Sequence, residues 1–190
     1  MITKEKKIYE TVGELEEAIR NDNLMVGDEF LTEDIDGAAA FKIAHIGKKK
    51  IWLVRKYILK DLRPMKGGDC DLLEWLKGKY TDSLPEELTD IIDKDVTLPT
   101  EKQAFGKNEI GKKEKGKQFE YFKNCKHRIA VFNPEDEYSR WWWLATPYYD
   151  KERSVVSSAS FALVSDAGGA DGYGASNAHG VRPAFAILRS

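Results

Sequence analysis

Imidazole serves both metal binding and proton transfer, so His45, His127 and His179 are the first residues to test for chemistry. Their spacing offers no HxxxH pair, and each reads as a surface or strand residue rather than part of a metal set. Glu33, Asp34 and Asp36 bring calcium-type oxygens together, but the ligand pattern and central glycine of an EF-hand loop are missing, so a solvated turn is expected. Glu86, Glu87, Asp90, Asp93 and Asp95 fall at helical spacing and read as a wet helix face. Ser154, Ser157, Ser158 and Ser160 are candidate nucleophiles, yet none sits in a GxSxG elbow. The glycines of GGADGYG (168–174) lack both a strand-GxGxxG-helix setting and a Walker lysine. With no nucleophile, base or metal set named, the expectation is a chain that is not an enzyme, with no catalytic residue, no metal and no cofactor.

The totals bound the alternatives. A chain of 190 residues, 42% hydrophobic and 33% charged, can bury one ordinary core. A net charge of −2 creates no global field toward nucleic acid, and no partner of that kind is expected. No run of eighteen apolar residues suggests a membrane span, and the charged start MITKEKKIYE does not read as a signal peptide. Cys70 and Cys125 are too few for a disulfide scaffold; two half-buried thiols in a reduced compartment are expected, with a single bridge as the alternative.

Several elements follow from pattern. TVGELEEAIRN predicts a helix capped by Thr11 with Glu14, its apolar face Val12, Leu15, Ala18 and Ile19. FKIAHIGKKKIWLVRKYIL predicts two strands around a turn at 47–50. Helices are expected in DLLEWLKGKY (71–80), in SLPEELTDII with Ser83 as cap, in LPTEKQAFG between Thr100 and Gly106, and in QFEYFKNC (118–125), with a charged loop at 108–118. HRIAVF, RWWWLATP, SFALVSD and VRPAFAIL predict strands in the last third. On a strand, Trp141, Trp142 and Trp143 would alternate, so both faces there must be partly covered. The fold class expected is α+β, helices in the middle and short strands at the C-terminal end.

RWWWLATP, FALVSDAGG and GVRPAFAIL together resemble the "WWLRSP … V…DG … GVRPAL" signature of an uncharacterised family of gut bacteria and their phages. GDEF, CDLLEWLKGKY, LPEELTDII and LPTEKQAFG follow in that family's order. The resemblance thus covers roughly 27–190 and leaves 1–26 as an N-terminal helical appendage. It implies a C-type-lectin-like fold. Ala145 and Thr146 stand where the family has Arg-Ser, so any role of that arginine is absent here. Variable proteins of diversity-generating retroelements share the fold and a similar ending. Their rewritten AAY codons cannot become Lys, Glu, Gln, Met or Trp, and residues 154–190 contain none of these five. A glycine-rich loop between buried strands disfavours the same types, so an ordinary undiversified member stays open.

Either way, the resemblance and the composition point to a non-catalytic module that binds a protein or glycan surface. Trp141, Trp142, Trp143 and Arg182 would form the structural frame. Arg182 would be a buried hydrogen-bond hub, with a ligand clamp as the alternative. The contact face would be the loops carrying Ser157, Ser158, Ser160, Asp166, Ala170, Asp171, Tyr173, Ala175, Asn177 and His179, a palette that antibody loops also use. Tyr173 and His179, the only sizeable side chains of the glycine run, lead the candidates. The rivals are a phage tail or virion part, and an enzyme of the formylglycine-generating type. Against the enzyme, those proteins use reactive cysteines or copper near the C-terminus, whereas the last cysteine here is Cys125. The expected location is the cytoplasm, or a virion.

Overall fold

Alternating apolar residues build the central sheet of the computed structural model, which describes residues 5–68 and 70–189. Strands β1 (Ile8–Tyr9), β2 (Glu29–Asp34), β3 (Gly37–Ile46), β4 (Lys50–Arg55) and β10 (Ala184–Leu188) lie in the order β1-β2-β3-β4-β10. The first pair is parallel and the others antiparallel. Period-two patterning gives the sheet two apolar faces. Phe30, Phe41, Ile43, Ile51, Leu53, Phe185 and Ile187 enter one cluster, and Ala44, Val54 and Ala184 enter the other. The hairpin turn closes at Gly47, whose N–H donates to the Lys50 carbonyl at 2.9 Å.

The expected first helix is α1 (Val12–Arg20), with Thr11 accepting from the Glu14 N–H. The Glu14 carboxylate reaches back one residue further than a capping box requires, to the Glu10 N–H. The stretch expected as an appendage carries β1 into the central sheet, and Val12, Leu15, Ala18 and Ile19 into the core that holds Phe41 and Leu53. Its first four residues lie outside the described residues.

A second, three-stranded sheet comprises β6 (Trp142–Asp150), β7 (Val155–Val164) and β8 (Ala170–Gly174) in that order. Short strands β5 (Arg63–Pro64) and β9 (Ala178–His179) pair antiparallel, Arg63 opposite His179. The molecule is therefore mixed α+β, with sheet dominant. The triple tryptophan alternates as strand geometry demands: Trp142 enters one cluster, while Trp143 and the partly buried Trp141 pack with the other.

Other helices are shorter than the patterns predict. DLLEWLKGKY becomes α2 (Leu72–Trp75) followed by a π-helical turn, Leu76–Tyr80, across Gly78. Helix α3 is only Glu86–Thr89 and starts from Pro85, because Ser83 spends its hydroxyl on the Tyr80 carbonyl. Its acidic neighbour Asp93 is no wet helix face; it pairs with Lys50 beside β10. Helix α4 (Glu101–Phe105) has the full box, Thr100 with Gln103, and ends at Gly106 in the left-handed region. Helix α5 is Glu120–Lys123. HRIAVF is not a strand: Ala130 makes a lone bridge to Arg140 and packs on Trp142, with no ladder partner.

Candidate functional site

The turn read as solvated at 33–36 is a core feature. Asp34 is buried, accepts from Arg55 Nε at 2.7 Å and from the Tyr80 hydroxyl at 2.8 Å, and Asp36 joins at 3.2 Å. Burial and the Asp34 carboxylate push the Tyr80 hydroxyl well above its usual range. His45 stacks on Phe119 and pairs with Glu120; His127 stacks on Tyr121 and contacts its carbonyl. Both are structural. Among the described residues no three His, Cys, Asp or Glu gather as a metal set. Cys70 and Cys125 are free and exposed rather than half-buried.

Arg182 sits among backbone carbonyls and aromatic rings. The side chain is buried, Nε donates to the Arg55 carbonyl at 2.7 Å and Nη1 to the His127 carbonyl at 2.9 Å. Phe122 and Trp142 rings flank the guanidinium at 5.4 and 5.2 Å. Burial lowers its pKa to about 10. The Trp142 and Trp143 ring nitrogens are likewise occupied, by the Arg128 and Arg63 carbonyls, each at 2.8 Å.

Glu101 is a residue that sequence reading missed. It is fully buried, and Oε1 accepts from the Glu109 and Ile110 N–H groups at 2.7 and 2.8 Å while Oε2 accepts from Gly111 at 2.8 Å. This ties the charged loop to β6, where Gly111 bridges Tyr148. A Cβ at Gly111 would stand 2.1 Å from Thr146 Cγ2, so the approach needs glycine. An acidic residue at the first turn of a helix is ordinary, which hides this role in the sequence.

A cleft of about 390 Å³ opens where β8, β9 and the start of β6 converge. The Gly180 N–H donates to the Trp141 carbonyl at 2.8 Å, and a Cβ there would meet that oxygen at 2.9 Å. This close approach carries His179 in among aromatic rings. Its ring lies edge-on to Trp143 at 4.9 Å and to Tyr173 at 5.1 Å, and near-parallel to Trp141 at 6.1 Å. Nε2 of His179 is buried without a hydrogen-bond partner among the described residues. Burial lowers its pKa below 6.5, so the imidazole is neutral at pH 7. Leu62, Ser139, Arg140 and Asp166 complete the wall. Among the described residues, neither Arg140 nor Asp166 makes a salt bridge within 4.0 Å.

Of the expected contact residues, Asp166, Tyr173 and His179 meet here, and Trp141, expected as frame, joins them. The others disperse. Ser160 lies with Tyr148, Gly172 and Gly174 on an adjoining groove of about 210 Å³ that shares Tyr173 with the cleft. Ser157 and Ser158 sit on β7 beyond its last pairing with β8, Ser160 opposite Gly174. Ala170 and Asp171 are half-buried in β8, opposite Val164 and Leu163. Asn177 is an exposed turn residue held to the Gly174 carbonyl. Ala175 is 3% exposed, its N–H bonded to the Ala159 carbonyl, and so is core rather than contact surface. The expected loops are thus largely sheet, because small residues let β8 lie flat: a Cβ at Gly172 would meet Ile110 at 2.9 Å. Ser139 and Arg140 adjoin the tryptophans and were within reach of sequence reading; Leu62 arrives through β5–β9 pairing and had no local signal.

No curated protein and no solved structure matches the chain. Residues 49–188, which run from within the central hairpin to β10 and include every wall residue of the cleft, match a family model described as "Domain of unknown function (DUF6273)", and the chain belongs to that family.

Proposed function

We propose that this chain is a non-catalytic binding module on a C-type-lectin-like scaffold, and that the cleft of Trp141, Tyr173 and His179 takes a ring of a surface glycan. A mostly antiparallel five-stranded sheet to which the C-terminal strand returns, beside a three-stranded antiparallel sheet, supports the scaffold reading. The observation that carries the function is the aromatic wall of Trp141, Tyr173 and His179 standing beside Arg140 and Asp166 in one open cleft. A sugar ring presents C–H bonds to aromatic faces and hydroxyls to polar groups. Trp141 and Tyr173 supply the faces; Asp166 and Arg140 supply acceptors and donors without first breaking an ion pair. The test is a glycan array beside capture on cells with intact or stripped glycans. Capture by the wild type, lost on stripping and in Tyr173→Ala and His179→Ala, supports this reading. Capture that survives stripping favours a protein ligand. Capture unchanged in both variants removes the cleft from the contact face. Diversification by a retroelement belongs to the same proposal, with codons for Asp166, Tyr173 and His179 as its targets. It requires a reverse transcriptase gene and a template repeat beside this one.

A virion role has one observation in its favour. The ribbon of β6 and β7 extends past β8 and exposes Val155 and Val156, adjacent strand residues that face opposite sides. Light scattering across a concentration series tests for the self-association that an assembly contact implies.

A further inference from the structure

Tyr173 lines two depressions, the cleft and the adjoining groove of about 210 Å³. Strand β8, which carries it, is the outermost strand of its sheet, and side chains alternate along such a strand. Asp171 stands opposite Leu163 and Tyr173 opposite Phe161, on the face that Trp143 shares. Gly172 stands opposite Ala162 and Gly174 opposite Ser160, on the other face. The cleft lies on the side of Tyr173, whereas the groove gathers Ser160, Gly172 and Gly174. The groove's platform is Tyr148. A Cβ at Gly172 would stand 3.4 Å from Tyr148 Cδ2 and 2.9 Å from Ile110 Cγ2, so glycine lets both side chains rest on β8. The support is stiff. Buried Glu101 holds the Ile110 and Gly111 N–H groups, Gly111 bridges Tyr148, and the Tyr149 N–H donates to the Ile110 carbonyl at 3.0 Å. Tyr148 nonetheless stays 38% exposed.

An aromatic side chain held in place and left exposed gives contact area at little entropic cost. Small-molecule pockets run from about 300 Å³ upward, a size that the cleft reaches and the groove does not. The groove therefore suits an extension of a ligand seated in the cleft, and not a ligand of its own. A tyrosine platform beside the Ser160 hydroxyl matches one further sugar ring, with its C–H face and its hydroxyl rim. We infer that the groove is a second subsite, in which Tyr148 stacks a further ring of an oligosaccharide that passes from the cleft over β8 beside Tyr173. This rests on the glycan reading of the cleft and narrows it: the ligand is a chain of linked rings rather than a single terminal sugar.

The test is an array carrying mono- to tetrasaccharides of glucose, galactose, mannose, xylose and N-acetylglucosamine, probed with the whole chain at graded concentrations. In the series that binds, the half-saturating concentration is expected to fall about fivefold from the monosaccharide to the longer members. In Tyr148→Ala that gain is lost, and the longer glycans bind like the monosaccharide. Tyr173→Ala weakens every length, because its ring serves the cleft itself. Equal affinity at every length overturns the second subsite and leaves the cleft standing, as does a length gain that survives Tyr148→Ala. Binding of no member at any length removes the glycan reading of the cleft and this inference with it. Should Tyr148→Ala fail to fold, Ser160→Gln, which fills the groove from a half-buried position on β7, takes its place: loss of the length gain supports the subsite, and its survival overturns it.

Discussion

Arg182 and Arg63 lie on the two apolar sides of the molecule and meet opposite conditions. Arg182 is fully buried with no carboxylate, yet carbonyls receive its donors and aromatic rings sandwich it. Arg63 is only partly covered, with the Trp75 ring 3.8 Å from its guanidinium carbon, and its Nε has no hydrogen-bond partner among the described residues. Burial depth therefore does not predict which cation completes its hydrogen bonds. The same contrast separates Trp142 and Trp143, whose N–H groups are bonded, from Trp75, and His127, bonded to the Tyr121 carbonyl, from His179.

Removing a completed hub should cost most. Arg182→Met is expected to lose about 3 kcal/mol of unfolding free energy in urea, since it strands the Arg55 and His127 carbonyls. A loss below about 1 kcal/mol would break the contrast. Gly111→Ala should cost about 2 kcal/mol by thermal melting, because the new methyl overlaps Thr146 within the Glu101 cluster. On the incomplete side, Tyr173→Ala should change stability by less than about 1 kcal/mol, since the ring is 45% exposed, while weakening ligand capture about tenfold.

The smallest effect is electrostatic. His179 has a lowered folded pKa because burial disfavours its cation. Between that lowered value and 6.5 the unfolded chain binds the extra proton, so stability is full above pH 6.5 and declines as pH falls below it. The melting temperature of His179→Asn should fall less steeply over about pH 5 to 7 than that of the wild type. Equal slopes would mean that the ring is wetter than its surroundings imply.

The parts legible in the sequence were those that local rules dictate. Thr11 and Thr100 start helices by capping, the 47–50 turn joins two alternating strands, and the triple tryptophan divides between two cores. What escaped depends on partners distant in the chain. HRIAVF has strand alternation, but its ladder never forms, and Ala130 is satisfied by packing alone. Asp34 looked wet until Arg55 and Tyr80 came to it from later segments. The cleft was half legible: Tyr173 and His179 stood out by size among glycines, whereas Leu62 reaches it only when residues 63–64 pair with 178–179.

The buried carboxylate of Glu101 has one more consequence. It clamps the backbone at Glu109, Ile110 and Gly111, and downstream the Phe119 N–H is held by the Gln103 carbonyl at 2.9 Å. The lysine-rich span 112–117 lies between two fastened points and is pinned once more at Glu114, whose N–H donates to Asn108 Oδ1 and whose carboxylate accepts from Asn108 Nδ2 and the Thr146 hydroxyl. A polypeptide opened by trypsin in the exposed stretch 115–117, or lengthened there by a spliced-in peptide, would keep both new ends moored and the rest of the architecture undisturbed.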